Sequence, residues 1–206
     1  LYNKCLSNKS FQIYNPVTIE CKEKSSLNER TIISVGRLDY SKGFDLLIKA
    51  FNEVAKNISD VKLLIVGDGE EKDNLNNLIK SMNLEEKVVL TGFSDNIKEY
   101  YLKSSLYVCS SRWEGFPLTP VEAMEMGLPI ISFDIPSAKE LLDNNQYGIL
   151  VEKGNLEELS KKMLEVIEDR ELIHYYSNLS IKRAKEFSID NIIKQWNDML
   201  YNIIKK

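Results

Sequence analysis

Two stretches of this sequence gather residue types that handle negative charge and hydroxyl groups. The first is Gly36-Arg37-Leu38-Asp39-Tyr40-Ser41-Lys42-Gly43-Phe44. Arg37 brings a guanidinium fork that can grip two phosphate oxygens, and Lys42 brings a point charge. Ser41 is placed to cap a following helix, whose amino end would add its own attraction for an anion. The same residues also read as a solvated basic loop, and spacing alone does not choose between the two.

The second stretch is Ser110-Ser111-Arg112-Trp113-Glu114-Gly115-Phe116-Pro117-Leu118-Thr119-Pro120-Val121-Glu122. Thr119 suits an N-cap, Pro120 a first helical position and Glu122 a third, which together make a capping box. That pattern gives Glu122 a purely structural reading. Glu114 has none, because it stands in a loop before Gly115, where a ligand can come close to the backbone. The amides of Phe116, Leu118 and Thr119 are placed to meet a phosphate.

A third stretch, Gly67-Asp68-Gly69-Glu70-Glu71-Lys72, begins like a nicotinamide-binding glycine fingerprint but has Lys72 where the third glycine belongs. Gly67 and Gly69 therefore read chiefly as a tight strand-to-helix turn.

The elements that carry these loops are apolar runs alternating with helical patterns. Strands are expected at Thr31–Gly36, Lys62–Gly67, Lys87–Thr91, Leu106–Ser110, Pro129–Phe133 and Gly148–Val151. Most are apolar throughout, as strands buried on both faces are. Leu46, Leu47, Ala50, Phe51, Val54, Ala55 and Ile58 make a helical stripe, as do Leu75, Leu78, Ile79 and Met82. Asn155 followed by Glu158 marks another helix start, with Leu156, Leu159, Met163, Val166 and Ile167 on its inner face. The alternation predicts a Rossmann-like three-layer α/β/α fold with a parallel, roughly six-stranded sheet. Ligands of such sheets bind beyond the carboxyl ends of the strands, where the first two loops lie. At the end of the chain, Ile189, Ile192, Ile193, Trp196, Met199, Leu200, Ile203 and Ile204 make a strongly amphipathic helix.

Composition narrows the classes. The 206 residues are 43% hydrophobic and 28% charged, enough for a sizeable core in a soluble chain. A net charge of -4 speaks against a nucleic-acid partner. Cys5, Cys21 and Cys109 are an odd number with no Cys-x-x-Cys pair, so a reducing compartment is expected and no disulfide framework. Cys109, in an apolar run, reads as a small buried residue. No apolar stretch approaches the ~18 residues of a membrane span, which leaves peripheral membrane contact open. The only histidine, His174, lies on a polar helical segment and reads as a surface residue. The chain begins with Leu and reads as a fragment.

Taken in order, Ser34-Val35-Gly36-Arg37-Leu38, Lys42-Gly43, Val66-Gly67-Asp68-Gly69 and the segment from Glu114 to Glu122 followed by Ala123-Met124, Gly127 and Pro129 resemble a known family. It is the donor-binding domain of GT-B glycosyltransferases, the large retaining group 1 or family 4. The two glutamates flank seven residues, as in that family's paired-glutamate motif.

The resemblance implies a sugar transferase of hexosyl or N-acetylhexosaminyl class using a nucleotide-diphosphate sugar, most commonly a UDP-sugar, with retention. It implies that Arg37 and Lys42 contact the donor diphosphate, Glu114 the sugar hydroxyls and Glu122 the ribose hydroxyls. Gly115, Phe116 and Pro117 then line the sugar and phosphate pocket with Leu118 and Thr119. Gly36 and Gly67 belong to the same donor set, and Gly92 and Phe93 to the wall beside the base. No Asp-x-Asp pair occurs, and no metal or other cofactor is expected.

Residues 1–14 are expected to be the tail of, or linker from, a missing N-terminal acceptor domain. Residues 15–188 form the nucleotide-sugar domain, and residues 189–206 a helix crossing back to the missing domain. The isolated chain should bind donor but transfer no sugar. The acceptor is expected to be a glycan or lipid-linked sugar, in the cytoplasm and, for a full-length protein, at the inner face of the membrane. The competing readings are a nicotinamide-dependent oxidoreductase domain and a non-catalytic nucleotide-binding module. The charged side chains at Arg37, Lys42, Glu114 and Glu122 speak against the second.

Overall fold

Six short apolar runs pair in parallel to form one sheet in the order β3-β2-β1-β4-β5-β6. The strands are β1 (Thr31–Val35), β2 (Lys62–Val66), β3 (Val88–Gly92), β4 (Leu106–Cys109), β5 (Ile130–Phe133) and β6 (Ile149–Val151). The computed structural model describes residues 12–19 and 21–204, so Cys5 and most of the expected linker lie outside the described residues. Each expected strand is present, with ends shifted by a residue. β4 and β5 are buried at every position and β1 at all but its first, as continuous apolar runs between two helical layers require. Cys21 and Cys109 are buried free thiols.

Helices cover both faces. They are α1 (Phe44–Asn57), α2 (Lys72–Ser81), α3 (Ile97–Leu102), α4 (Leu118–Glu125), α5 (Pro136–Leu141), α6 (Leu156–Glu168), α7 (Arg170–Ala184) and α8 (Ile189–Ile204). α1 packs against α6, and α4 against α7. α1 buries Phe44, Leu47, Ile48, Ala50, Phe51 and Val54, close to the expected stripe. At α6 the Asn155 side chain accepts from the Glu158 amide, as the capping pattern predicts. His174 is exposed on α7.

The strand order reverses between β1 and β4. Their register pairs Ile32 with Leu106 and Ile33 with Tyr107. Consecutive connections leave this point in opposite directions, so a crevice opens between the loops that follow the two strands. Those loops are the two chemical stretches of the sequence.

α8 differs from the other helices. Ile192 is its only fully buried residue, while Ile193, Trp196, Leu200 and Ile203 stand about half exposed.

Candidate functional site

The loop after β1 is held by its own side chains. Asp39, not Ser41, does the capping: it accepts from the amides of Ser41 and Lys42 at 2.9 and 3.3 Å and from the Ser41 hydroxyl. The short 3-10 turn Tyr40–Lys42 ends at Gly43, left-handed at φ 65°, which starts α1 without a side-chain cap. The expected Ser41 cap is thus corrected. A carboxylate two residues upstream is the stronger acceptor, and the turn places it under the free amides. Asp39 also takes the Arg37 Nε at 2.9 Å, leaving the Arg37 side chain 76% exposed to the crevice.

Lys42 turns inward. Its ammonium forms an ion pair with Glu114 Oε1 on the other loop. Burial pushes the Lys42 ammonium below its ordinary range, against the pull of the Asp39 carboxylate and with Arg37 adding to the depression. The Glu114 contact favours the charged form. The second Glu114 oxygen, Oε2, is buried and has no hydrogen-bond partner.

The second loop is clamped to the first by a residue the sequence reading did not single out. Arg112 makes a two-pronged pair with Asp45 on α1, both bonds 2.8 Å, and donates to the Tyr40 carbonyl at 2.8 Å. Its own amide donates to the Ser41 carbonyl at 2.7 Å, and its guanidinium sits 3.9 Å above the Tyr40 ring. Trp113, 56% exposed, packs on Tyr40 at the rim.

The expected capping box at Thr119 and Glu122 does not form. α4 begins at Leu118 with Pro117 before it, no side chain caps it, and its first turn holds no acid. Thr119 instead donates to the Val35 carbonyl at 3.2 Å and meets the Tyr107 hydroxyl at 2.9 Å. Glu122 accepts from the Tyr101 hydroxyl at 3.0 Å. The cap was lost to tertiary partners, which the local pattern cannot show. The uncapped amino end of α4 keeps its first-turn amides available, a natural seat for an anion.

Two clefts meet here. One, about 260 Å³, is lined by Lys42, Glu114, Gly115, Phe116, Pro117, Leu118 and Thr119. The other, about 420 Å³, is lined by residues including Gly36, Arg37, Gly67, Phe93 and Ser94. Gly36 of the second lies against Lys42 of the first, since a Cβ placed on it would come 3.0 Å from Lys42 Cε. Phe93 is 76% exposed beside the second cleft, and Gly92 stands behind it, its carbonyl accepting the Gly67 amide at 2.9 Å.

Phe116 contributes to the first cleft, yet its ring packs on Tyr14 and Phe187, at 4.3 and 5.3 Å between centroids. Burial and a hydrogen bond to Glu140 push the Tyr14 phenol up to about 12. A wider hollow, about 890 Å³, opens at the other end of the sheet, beside Arg30, Thr31 and Lys62. Its arginines are already engaged, Arg30 with Asp60 and Arg170 with the Leu27 carbonyl and Asn28.

Gly67 and Gly69 back onto the first loop. A Cβ on Gly67 would fall 1.9 Å from the Gly36 carbonyl oxygen, and one on Gly69 would fall 2.4 Å from that of Leu38. These glycines pack loop against loop, which fits a tight turn and not a nicotinamide fingerprint.

Comparison with known proteins identifies the family. The model of the family described as "Glycosyl transferases group 1" matches residues 18–183. An uncharacterized glycosyltransferase of Haemophilus influenzae is 38% identical over 199 residues, 96% of this chain and 56% of that protein. A 4-alpha-N-acetylgalactosaminyltransferase of Campylobacter jejuni acting on a diphospho-undecaprenol glycan, by its name, is 36% identical over 90% of this chain and 52% of its own length. The crystal structure of Anabaena HepE in complex with UDP superposes with a TM-score of 0.77 at 27% identity, covering 85% of this chain and 49% of HepE. The chain thus spans about half the length of the curated relatives it matches. With the sheet order, the switch-point crevice and the matched segment in agreement, the chain belongs to the group 1 glycosyl transferases, as the C-terminal domain of their GT-B fold.

Proposed function

We propose that this chain holds a nucleotide-diphosphate sugar, a UDP-sugar, and presents its anomeric carbon to a glycan or lipid-linked acceptor bound by a second domain. The observation that carries the reading is the Glu114 carboxylate. One oxygen pairs with Lys42 and the other is buried without a partner, beside the uncapped amino end of α4. An orphaned buried carboxylate oxygen calls for a donor, and a sugar hydroxyl supplies one.

In this reading the diphosphate lies between Lys42, Arg37 and the amides opening α4. Glu122 takes the ribose hydroxyls, and the base rests in the second cleft by Phe93. Breaking the sugar–phosphate bond builds negative charge on the leaving diphosphate. Cations and amides already aimed at that charge lower the barrier, each worth about 10²–10³ in rate by analogy with oxyanion holes. The reading assigns this charge to side chains and a helix terminus, with no metal. Configuration is retained, and the sugar is a hexosyl or N-acetylhexosaminyl group. The UDP in the HepE complex and the acceptor named for the Campylobacter relative support the substrate classes.

The same reading divides the chain into a linker at 1–14, a donor domain at 15–188 and a crossing helix at 189–206. The half-exposed apolar face of α8 supports the last of these, since such a face needs a cover. By itself the chain binds donor and transfers nothing. The full-length protein works in the cytoplasm, in peripheral contact with the membrane face. No helix among the described residues is long and apolar enough to cross a membrane.

The deciding experiment is thermal unfolding with UDP, GDP, ADP, UDP-sugars and NAD in parallel. Ligand at about 100 times its dissociation constant adds roughly 2.7 kcal/mol, a shift of about 5–11 °C for a domain this size. The expected result is a shift with UDP and UDP-sugars, lost in Lys42→Ala. A shift with NAD alone, or none with any nucleotide, would overturn the reading.

A further inference from the structure

The Glu122 carboxylate, assigned above to the ribose, is held by a residue that lines neither of the two clefts. Tyr101 on α3 is completely buried. Its hydroxyl lies 3.0 Å from Glu122 Oε2 and 3.2 Å from the Thr119 carbonyl, so its one hydrogen faces two acceptors one turn apart on α4, the carboxylate being the nearer. Glu122 is only partly buried, and among the described residues its carboxylate takes a hydrogen bond at Oε2 alone. The base of the same turn is fixed independently. Thr119 bonds to the Val35 carbonyl at the end of β1, and the buried Tyr107 hydroxyl meets Thr119 and lies 3.4 Å from that carbonyl.

We infer that Tyr101 is a positioning residue for nucleotide binding: by donating to Oε2 from the core it fixes the Glu122 rotamer and leaves Oε1 to receive the ribose diol. The inference rests on the reading of Glu122 as the ribose-binding carboxylate. Three physical points favour it. A glutamate side chain has three rotatable bonds, and fixing them before the ligand arrives lowers the cost of binding. Burial pushes the Glu122 carboxyl up and the Tyr101 bond pulls it down, so the tyrosine supports the anion that a diol recognises. Burial holds the Tyr101 phenol well above its ordinary range, so it stays a donor.

The test is isothermal titration of UDP and of 2′,3′-dideoxy-UDP into the wild-type chain, Tyr101→Phe, Glu122→Gln and the double variant. Wild type is expected to bind UDP more tightly than the dideoxy analogue. Tyr101→Phe should weaken UDP by about tenfold, the scale of one hydrogen bond to a charged group, and leave the dideoxy analogue unchanged. The double variant should bind UDP no more weakly than Glu122→Gln, because both act through one carboxylate.

If Tyr101→Phe weakens both nucleotides equally, or neither, while wild type still discriminates between them, Tyr101 is only a core residue and the inference falls. If wild type itself does not discriminate, the ribose reading of Glu122 falls and takes the inference with it. Should Tyr101→Phe unfold during titration, the same comparison with wild type is run in trimethylamine N-oxide, which favours the folded state.

Discussion

Lys42 and Glu114, 72 residues apart in sequence, are ion-paired across the switch point of the sheet. Their side chains are 23% and 10% exposed, so the pair is largely withdrawn from water. The cation assigned to the diphosphate and the anion assigned to the sugar therefore satisfy each other when no donor is bound. In the proposed reading an arriving donor takes over part of both. This makes the affinity for UDP and for UDP-sugar separable by mutation.

Glu114→Gln releases Lys42 from its carboxylate. UDP is then expected to bind at least as tightly as to the wild type, because the ammonium no longer leaves a partner to meet the phosphates. A UDP-sugar should lose its advantage over UDP, since the orphaned Oε2 no longer accepts a sugar hydroxyl as an anion. Parallel titrations check this. UDP bound more weakly by Glu114→Gln, with the sugar increment intact, would remove Glu114 from the sugar site.

The clamp between Arg112 and Asp45 gives a pH dependence. Burial works to raise the Asp45 carboxyl, but the Arg112 fork and Lys49 more than offset it, and the group lies below its ordinary range. The unfolded chain then binds the proton more readily than the folded one. The stabilisation is present above the ordinary aspartate pKa of about 3.9 and is lost as pH falls through the depressed value. Asp45→Asn is expected to cost about 1–2 kcal/mol at neutral pH, as a charge-assisted bond partly screened by solvent. The melting temperatures of variant and wild type should converge in acid. Curves that stay parallel down to pH 2 would mean that the clamp contributes nothing through Asp45 ionisation.

The strands were legible because both faces of β1, β4 and β5 are covered, which leaves an unbroken apolar run as the signature. The site loops were legible because they follow strands and carry charges that no core would accept. The details within them were not. Thr119-x-x-Glu122 has the form of a capping box, yet the Thr119 hydroxyl bonds to Val35, 84 residues away, and Glu122 bonds to Tyr101, 21 residues away. Local pattern competes with tertiary partners, and the fold brings those partners without any signal at Thr119 itself. Asp39 is different. An acid ahead of Ser41 was a visible cap, and its preference over the serine follows from its charge and from its place before the turn.

Thr119→Val tests that reassignment. A cap removed from a helix end costs about 1 kcal/mol and leaves the core intact. In this structure the change also strips the Tyr107 hydroxyl of its 2.9 Å partner in the core. The expected loss is about 1–3 kcal/mol, since the buried Tyr107 hydroxyl keeps only its longer bond to the Val35 carbonyl, at 3.4 Å. Tyr107→Phe in the same background should recover part of it. A double variant no more stable than Thr119→Val alone would mean that the two hydroxyls are not coupled.

Two glycines at the crevice separate stability from binding. Gly43 is left-handed at φ 65°, and a Cβ there would fall 2.2 Å from the Ser110 carbonyl oxygen. That oxygen is backbone, so the two loops must part to admit a methyl group. The left-handed conformation alone costs an L-residue about 1–2 kcal/mol. Gly43→Ala is therefore expected to cost more than that and to lower the melting temperature by several degrees. Gly115 is the reverse case, since a Cβ there meets nothing within 4 Å and its backbone is not left-handed. Gly115→Ala should stay within about 0.5 kcal/mol of wild type, as an uncrowded surface change does. Its methyl group would instead stand in the cleft beside Glu114, where the donor is placed, and weaken a UDP-sugar. Melting curves with and without UDP-sugar decide. A Gly115→Ala chain as stable as wild type and shifted as far by the donor would show that nothing approaches the backbone there.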